Sequence, residues 1–236
     1  DFSRPHVNRH ARSRAPTEFA YASWAVHPLP GLRHDVQGGS STGCLMNLPS
    51  VLHFHGPYSF VDHGRQLATC EFAHSEGLYL WVLTDGERRF IHYVGETTDF
   101  LKRHKQHLTN ILGTNYGIFR SDAVAADDPV PIFGGLWRDR SADPITATVA
   151  RWQTLQRDVV AYLRSIEIFF APTSLPTDLR RHIEGRIARQ LSDGHPRQAR
   201  FYPADNWTGT LPEPLGGTVA VTSDRPILGL DAKLEL

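Results

Sequence analysis

The sequence predicts an α+β fold: a small three-stranded antiparallel sheet with flanking helices, an irregular N-terminal extension and a helical insertion. Three observations carry this reading. Residues 78–84 and 90–94 are runs of apolar and β-branched residues on either side of Asp85-Gly86, the composition of a β-hairpin and its turn. Residues 167–171, Glu-Ile-Phe-Phe-Ala, have strand composition again and place a third strand beside the hairpin. Two stretches, 100–112 and 177–194, carry apolar residues at helical spacing.

Taken in order, residues 1–48 hold Arg4, Arg9, Arg12, Arg14 and Arg33, several prolines and Gly38-Gly39-Ser40-Ser41, with little periodicity; they read as a flexible basic arm. Residues 49–236 form a single domain. Its start, through residue 75, is a lead-in element built on Val51-Leu52 and Tyr58-Ser59-Phe60-Val61. After the hairpin, Thr98 or Asp99 caps a helix whose Phe100, Leu101, His104, Leu108, Ile111 and Leu112 share one side, leaving Lys102, Arg103, Lys105 and Gln106 to solvent or a ligand. Residues 113–165 are an insertion. Its first part is rich in Gly, Pro and Asp, and its second is a helix from Pro144 with Val149, Trp152, Leu155, Val159, Val160 and Leu163 as the buried stripe. Beyond the third strand, Thr177 or Asp178 opens a helix on Leu179, Ile183, Ile187 and Leu191, which Gly194 and Pro196 end. A loop at 202–207 and a last strand at 219–222 follow.

With Lys+Arg and Asp+Glu at 25 each, the chain has no net charge, so a nucleic-acid partner must be held by local basic surfaces and not by a global field. Two cysteines in 236 residues suit a reducing compartment, with both thiols free. No run approaches a membrane span, and the arginine-rich start has no apolar core of a secretory signal. The expectation is a cytoplasmic, soluble protein with no membrane partner.

The chemistry concentrates in residues 77–107. Tyr79 and Tyr93 stand on paired strands of one small sheet, and Arg103 lies one or two turns into the helix that follows the second strand, so all three can meet at one edge. His107 is one helical turn beyond Arg103 and shares its face. In-line cleavage of a phosphodiester needs an activated water, a cation on the phosphate oxygens, a positive side chain for the developing charge and help for the leaving oxygen. The hairpin and helix supply part of that set; a carboxylate must come from elsewhere.

At these residues the sequence resembles the GIY-YIG nuclease superfamily. The resemblance rests on Gly77-Leu78-Tyr79, on Tyr93-Val94-Gly95, on Arg103 at the family's distance from the second signature, on Glu184 in a later helix and on Asn206 downstream, and it spans about residues 77–210. It implies a metal-dependent DNA endonuclease, restriction or defence enzymes included, in which Tyr79 acts as general base, Tyr93 bonds the phosphate or the water, and Arg103 stabilises the transition state. Glu184 would hold Mg²⁺ or another divalent cation, with His107 and Asn206 completing the site. A tyrosine base needs help, because its reference pKa is about 10. The long interval between Arg103 and Glu184 leaves Glu167 as the competing ligand. Lys102, Lys105, Arg180 and Arg181 are the nucleic-acid contacts, with Arg186, Arg189, Arg197 and Arg200 nearby in sequence and Trp137 and Trp207 as stacking or core residues. Enzymes of this type that cut both strands act as dimers, which extends the expectation to a homodimer. A degenerate module that binds nucleic acid or a protein partner without cutting is the alternative. A zinc site can be drawn from His53 and His55 with Asp62, His63 and Cys44 or Cys70, but these lack the paired spacing such sites favour.

Overall fold

The computed structural model describes residues 49–61, 65–120, 122, 131–136, 143–194 and 215–236. The N-terminal arm, Asn206, Trp137, Trp207, Arg197, Arg200, Cys44, Asp62 and His63 lie outside these residues. Among the described residues, no helix is long and apolar enough to cross a membrane.

The sheet overturns the expected fold class. Among the described residues it is a seven-stranded mixed sheet, curled into a half-barrel, and not a small three-stranded antiparallel one. Its strands are β1 (Val51–Ser59), β2 (Arg65–Gln66), β3 (Gly77–Asp85), β4 (Arg88–Thr97), β5 (Ile166–Pro172), β6 (Thr218–Ser223) and β7 (Lys233–Glu235). Six of them run in the order β4-β3-β5-β1-β6-β7, and β2 pairs with β1. The hairpin β3/β4 and the strand β5 are neighbours and antiparallel, but pairing continues past β5 into β1, the supposed lead-in, and then in parallel into β6. The curl brings the two ends of the sheet together: Leu228, between β6 and β7, donates its N–H to Arg89 O on β4 at 2.8 Å.

Among the described residues four α-helices complete the fold: α1 (Phe100–Leu112), α2 (Pro144–Ala150), α3 (Trp152–Ser165) and α4 (Thr177–Gly194). They sort to opposite faces because each strand presents alternate residues to each side. Leu78, Leu80 and Val82 of β3 pack with Leu52 and Phe54 of β1 and with Leu179, Ile183, Ile187 and Leu191 of α4 on one face. Tyr79, Trp81 and Leu83 pack with Phe100 and Ile111 of α1 and Leu155, Val159 and Leu163 of α3 on the other. The stripe expected along residues 149–163 is therefore narrower. Val149 is exposed, because the chain breaks at Arg151 between α2 and α3 and the helical phase is lost there, and Trp152 and Val160 of α3 are also exposed. Leu112 is exposed as well.

Two irregularities aim side chains. In β1 the pairing with β5 shifts between His55 and Tyr58, so Tyr58 faces α1 although Leu52 and Phe54 face α4. In the hairpin the register shifts between Trp81 and Val82, opposite His92. One extra residue in β4 lets both His92 and Tyr93 face the α1–α3 side, where strict alternation would turn Tyr93 toward α4.

Candidate active site

Tyr79 is the centre of the cluster. It pairs across the hairpin with Gly95, and a Cβ at position 95 would fall 2.3 Å from Tyr79 Cζ, so a glycine is required for the ring to lie there. Gly77 has a similar cause: a Cβ there would meet Ala171 O on β5 at 2.2 Å. The Tyr79 hydroxyl is 2.8 Å from His107 Nε2 and accepts from Arg103 Nε at 3.3 Å. Tyr93 is hydrogen-bonded to Tyr79, with the rings 5.9 Å apart.

Helix α1 delivers Arg103 and His107 because Asp99 fixes its start. The Asp99 carboxylate accepts from Lys102 N at 2.7 Å, and Thr97 Oγ1 receives the Asp99 N–H. His107 Nδ1 in turn is 3.1 Å from the Tyr116 hydroxyl, which also accepts from Asn110 Nδ2 at 3.1 Å. A continuous chain of hydrogen bonds thus runs Tyr93, Tyr79, His107, Tyr116, Asn110. Sequence reasoning did not find Tyr116 or Asn110. Asn110 follows His107 by three residues on the same helix face, which was a usable signal; Tyr116 sits in the Gly-rich insertion and gave none. His104 belongs to the core instead. Its Nδ1–H donates to Phe100 O at 2.8 Å and its Nε2 accepts from Trp81 Nε1 at 3.2 Å, so both nitrogens are satisfied in the neutral ring.

Burial sets the protonation states. Tyr79 is fully buried, and that desolvation, with the neighbouring Tyr93, pushes its hydroxyl well above the usual tyrosine range against the pull of Arg103. Tyr93 is half-buried and pushed up to about 12, by desolvation first and the Glu184 charge second. His107 is pushed down to about 2 by burial and by Arg103, and is neutral. Burial alone would lower Arg103, but Tyr79 and Tyr93 hold it above its ordinary value, so its charge is secure.

Glu184 reaches this group from the other face. β4 is the edge strand of the sheet, so α4 on one face and α1 on the other come together around it, and the Glu184 charge is felt at both tyrosines and at Arg103. The carboxyl is 8 % exposed and, among the described residues, has no hydrogen bond and no ion pair. Burial and the nearby Glu96 push it up to about 8, and Arg103 and Arg181 only partly offset them. Its rival Glu167 is committed elsewhere: Arg89 Nε holds it at 2.6 Å on β5.

The predicted nucleic-acid contacts divide. Lys102 and Lys105 are exposed and line, with Arg103, Gln106, Thr109 and Tyr116, a groove of about 680 Å³ along α1. Arg181 is exposed and sits 3.4 Å from Glu96. Arg180 must be withdrawn as a surface contact. It is 1 % exposed and bound to Glu76 at 2.6 Å, to Leu175 O and to Thr177 Oγ1. Arg186 and Arg189 are engaged by Glu235 O and Asp193.

The site therefore assembles Tyr79, Tyr93, Arg103, His107 and Glu184, leaves Lys102, Lys105 and Arg181 at its rim, and includes neither Arg180 nor Glu167. Compared with known proteins, the chain matches no family model, no curated protein and no solved structure.

Proposed function

We propose that the chain is a divalent-cation-dependent endonuclease that hydrolyses phosphodiester bonds of DNA with GIY-YIG-type chemistry, in the manner of a restriction or defence enzyme. The observation that carries the reading is Glu184: a carboxyl nine-tenths buried, without a partner among the described residues, set within the electrostatic reach of two tyrosines and an arginine. A buried carboxylate left unpaired is costly, and a hard cation with its waters removes that cost. The residues fit Mg²⁺ or a similar ion, which when bound supplies charge neutralisation at the phosphate oxygens and the leaving oxygen.

The side chains divide the remaining work. Lys102 and Lys105 draw the backbone of the nucleic acid along α1 toward Arg103, whose guanidinium faces the charge that develops on the phosphoryl oxygens. Tyr93, the half-buried tyrosine, meets the attacking water. Tyr79 is closed to solvent and acts from behind it, so the proton taken from water passes inward from Tyr93 to Tyr79 while Tyr79 gives its own to His107 Nε2. His107 passes its Nδ1 proton to Tyr116, which lines the groove and releases its own to solvent, so the imidazole stays neutral. Shifting protons along the chain avoids an isolated phenolate, which these raised tyrosine values would not tolerate at neutral pH. Arg103 Nε, already on the Tyr79 oxygen, stabilises the charge in transit.

The test is nicking of supercoiled plasmid with Mg²⁺. Wild type should cut, and Arg103→Ala and Glu184→Gln should each lose roughly 10²–10³-fold. Cleavage that survives both changes overturns the mechanism. The complete burial of Tyr79 favours a second reading, a module that binds nucleic acid without cutting; retained DNA binding with no nicking by the wild type on plasmid, branched and single-stranded substrates would establish it.

A further inference from the structure

We propose that His53, His55 and Asp224 form a separate cation site, one that takes a transition-metal ion of the zinc type and ties β1 to β6. One ligand atom from each lies within 4.8 Å of the others. The placement follows from the sheet. His53 and His55 are two residues apart on β1 and so share a face. β6 runs parallel beside β1 with His53 opposite Thr222 and Phe54 opposite Ser223, which brings the next residue, Asp224, level with His55.

Each outer contact that would orient such a site is already made. Thr222 Oγ1 is 2.8 Å from His53 Nδ1, and the Gly56 N–H donates to Asp224 Oδ2 at 3.0 Å. These leave His53 Nε2 and Asp224 Oδ1 facing one another at 2.9 Å, the gap an ion would enter. His55 meets the His53 ring edge-on and the Phe72 ring at a tilt, and makes no hydrogen bond among the described residues. With Nε2 on the ion, the His53 ring carries its proton on Nδ1, where Thr222 Oγ1 can accept it. Two imidazoles and a carboxylate select a borderline ion over Mg²⁺, and the partial exposure of all three leaves room for water as the fourth ligand.

The site is distinct from the tyrosine cluster. His55 pairs with Phe170 and Phe170 with Tyr79, so two strand spacings, about 10 Å, separate the backbones. Phe170, Phe100 and Phe72 fill the interval. A two-metal phosphodiesterase centre needs ions about 4 Å apart, so this ion's role is to hold the β6–β7 extension on the sheet.

The experiment uses the full chain stripped with chelator and titrated with Zn²⁺ by calorimetry, with metal content measured after dialysis and thermal unfolding followed with and without Zn²⁺. One ion per chain is expected, with a higher Tm. His55→Ala and Asp224→Asn should weaken binding at least 10-fold and abolish the Tm gain, while Glu184→Gln binds Zn²⁺ as wild type does. His55→Ala breaks no hydrogen bond described above, so its circular dichroism should be native, and it remains informative if Asp224→Asn unfolds. Absence of stoichiometric Zn²⁺, binding undiminished by His55→Ala, or binding lost in Glu184→Gln would each overturn the proposal.

Discussion

Tyr79 lies against Gly95 so closely that a methyl group at position 95 would stand 2.3 Å from Tyr79 Cζ and 2.4 Å from its hydroxyl oxygen. Neither partner can move away: Tyr79 is fully buried among His104, Tyr93 and His107, and Gly95 is held in the β3/β4 ladder. Gly95→Ala is therefore expected to destabilise the domain by about 1–3 kcal/mol and to displace the Tyr79 hydroxyl from Arg103. Urea unfolding gives the first quantity, and plasmid nicking gives the second. Nicking should fall further than the fraction folded, because the hydroxyl is misplaced even in the folded variant.

Glu184 makes stability depend on pH. Its folded value of about 8 lies above the unfolded value of about 4.3, so the native state holds the proton more tightly. Stability linked to this group is full below the unfolded value and is lost as pH rises through about 8. Without divalent cation, Tm should fall between pH 5 and 9, and Glu184→Gln should flatten that slope. Mg²⁺ should restore Tm most strongly at the alkaline end, where the carboxylate is available, and cation affinity should rise with pH over the same window. A Tm slope identical in wild type and Glu184→Gln would refute the assignment.

The histidines behave in the opposite sense. His104 and His107 are pushed down to about 3 and about 2, chiefly by burial, and each is hydrogen-bonded as a neutral ring. Their folded values lie below the unfolded value of about 6.5. The stability they contribute is thus present above pH 6.5 and is lost progressively as pH falls toward their folded values. By ¹H–¹⁵N correlation spectroscopy neither ring should titrate between pH 5 and 8. His104→Phe, which removes one such proton difference, should shallow the acid limb of the stability curve. His107→Phe should do the same and also lower nicking by about 10²-fold if the proton passes through Nε2.

Local chemistry made the hairpin, α1 and α4 legible. Asp85-Gly86 is a turn that needs no distant information, and Leu179, Ile183, Ile187 and Leu191 mark one face of α4 without help from the rest of the chain. The wider sheet was not legible, because it rests on β1 pairing with β6, whose partner residues are far away in sequence and leave no short-range signature. His53 and His55 obscured β1 further. They alternate with Leu52 and Phe54 as a half-buried strand should, and the carboxylate that the sheet brings beside them, Asp224, lies at the far end of the chain. Bulges hid the rest. Tyr93 faces Tyr79 only through the irregularity opposite Trp81 and Val82, which periodicity alone would place on the wrong side. In the same way, one break at Arg151 separates Val149 from the stripe of Leu155, Val159 and Leu163 and leaves it exposed.

Arg180 and Arg181 are adjacent in sequence and opposite in role. Arg180 is 1 % exposed and spreads its donors over Glu76, Glu96, Thr177 Oγ1 and Leu175 O, anchoring the first turn of α4 to the edge strand that carries Tyr93. Its removal leaves a buried backbone carbonyl and two carboxylates without their shared cation, so Arg180→Ala should cost about 3–5 kcal/mol. Lysine cannot replace it, because one ammonium cannot serve the planar fork of contacts, and Arg180→Lys should recover less than half of that loss. Arg181, exposed beside Glu96, should leave stability within about 1 kcal/mol when changed to alanine. Its effect should instead be on nucleic acid. Like Lys102→Ala and Lys105→Ala, Arg181→Ala should weaken DNA binding by a factor that shrinks as salt rises and should lower the slope of log K against log salt by about one contact. Equal loss of stability in Arg180→Ala and Arg181→Ala, measured by urea unfolding, would contradict this division of labour between the two arginines.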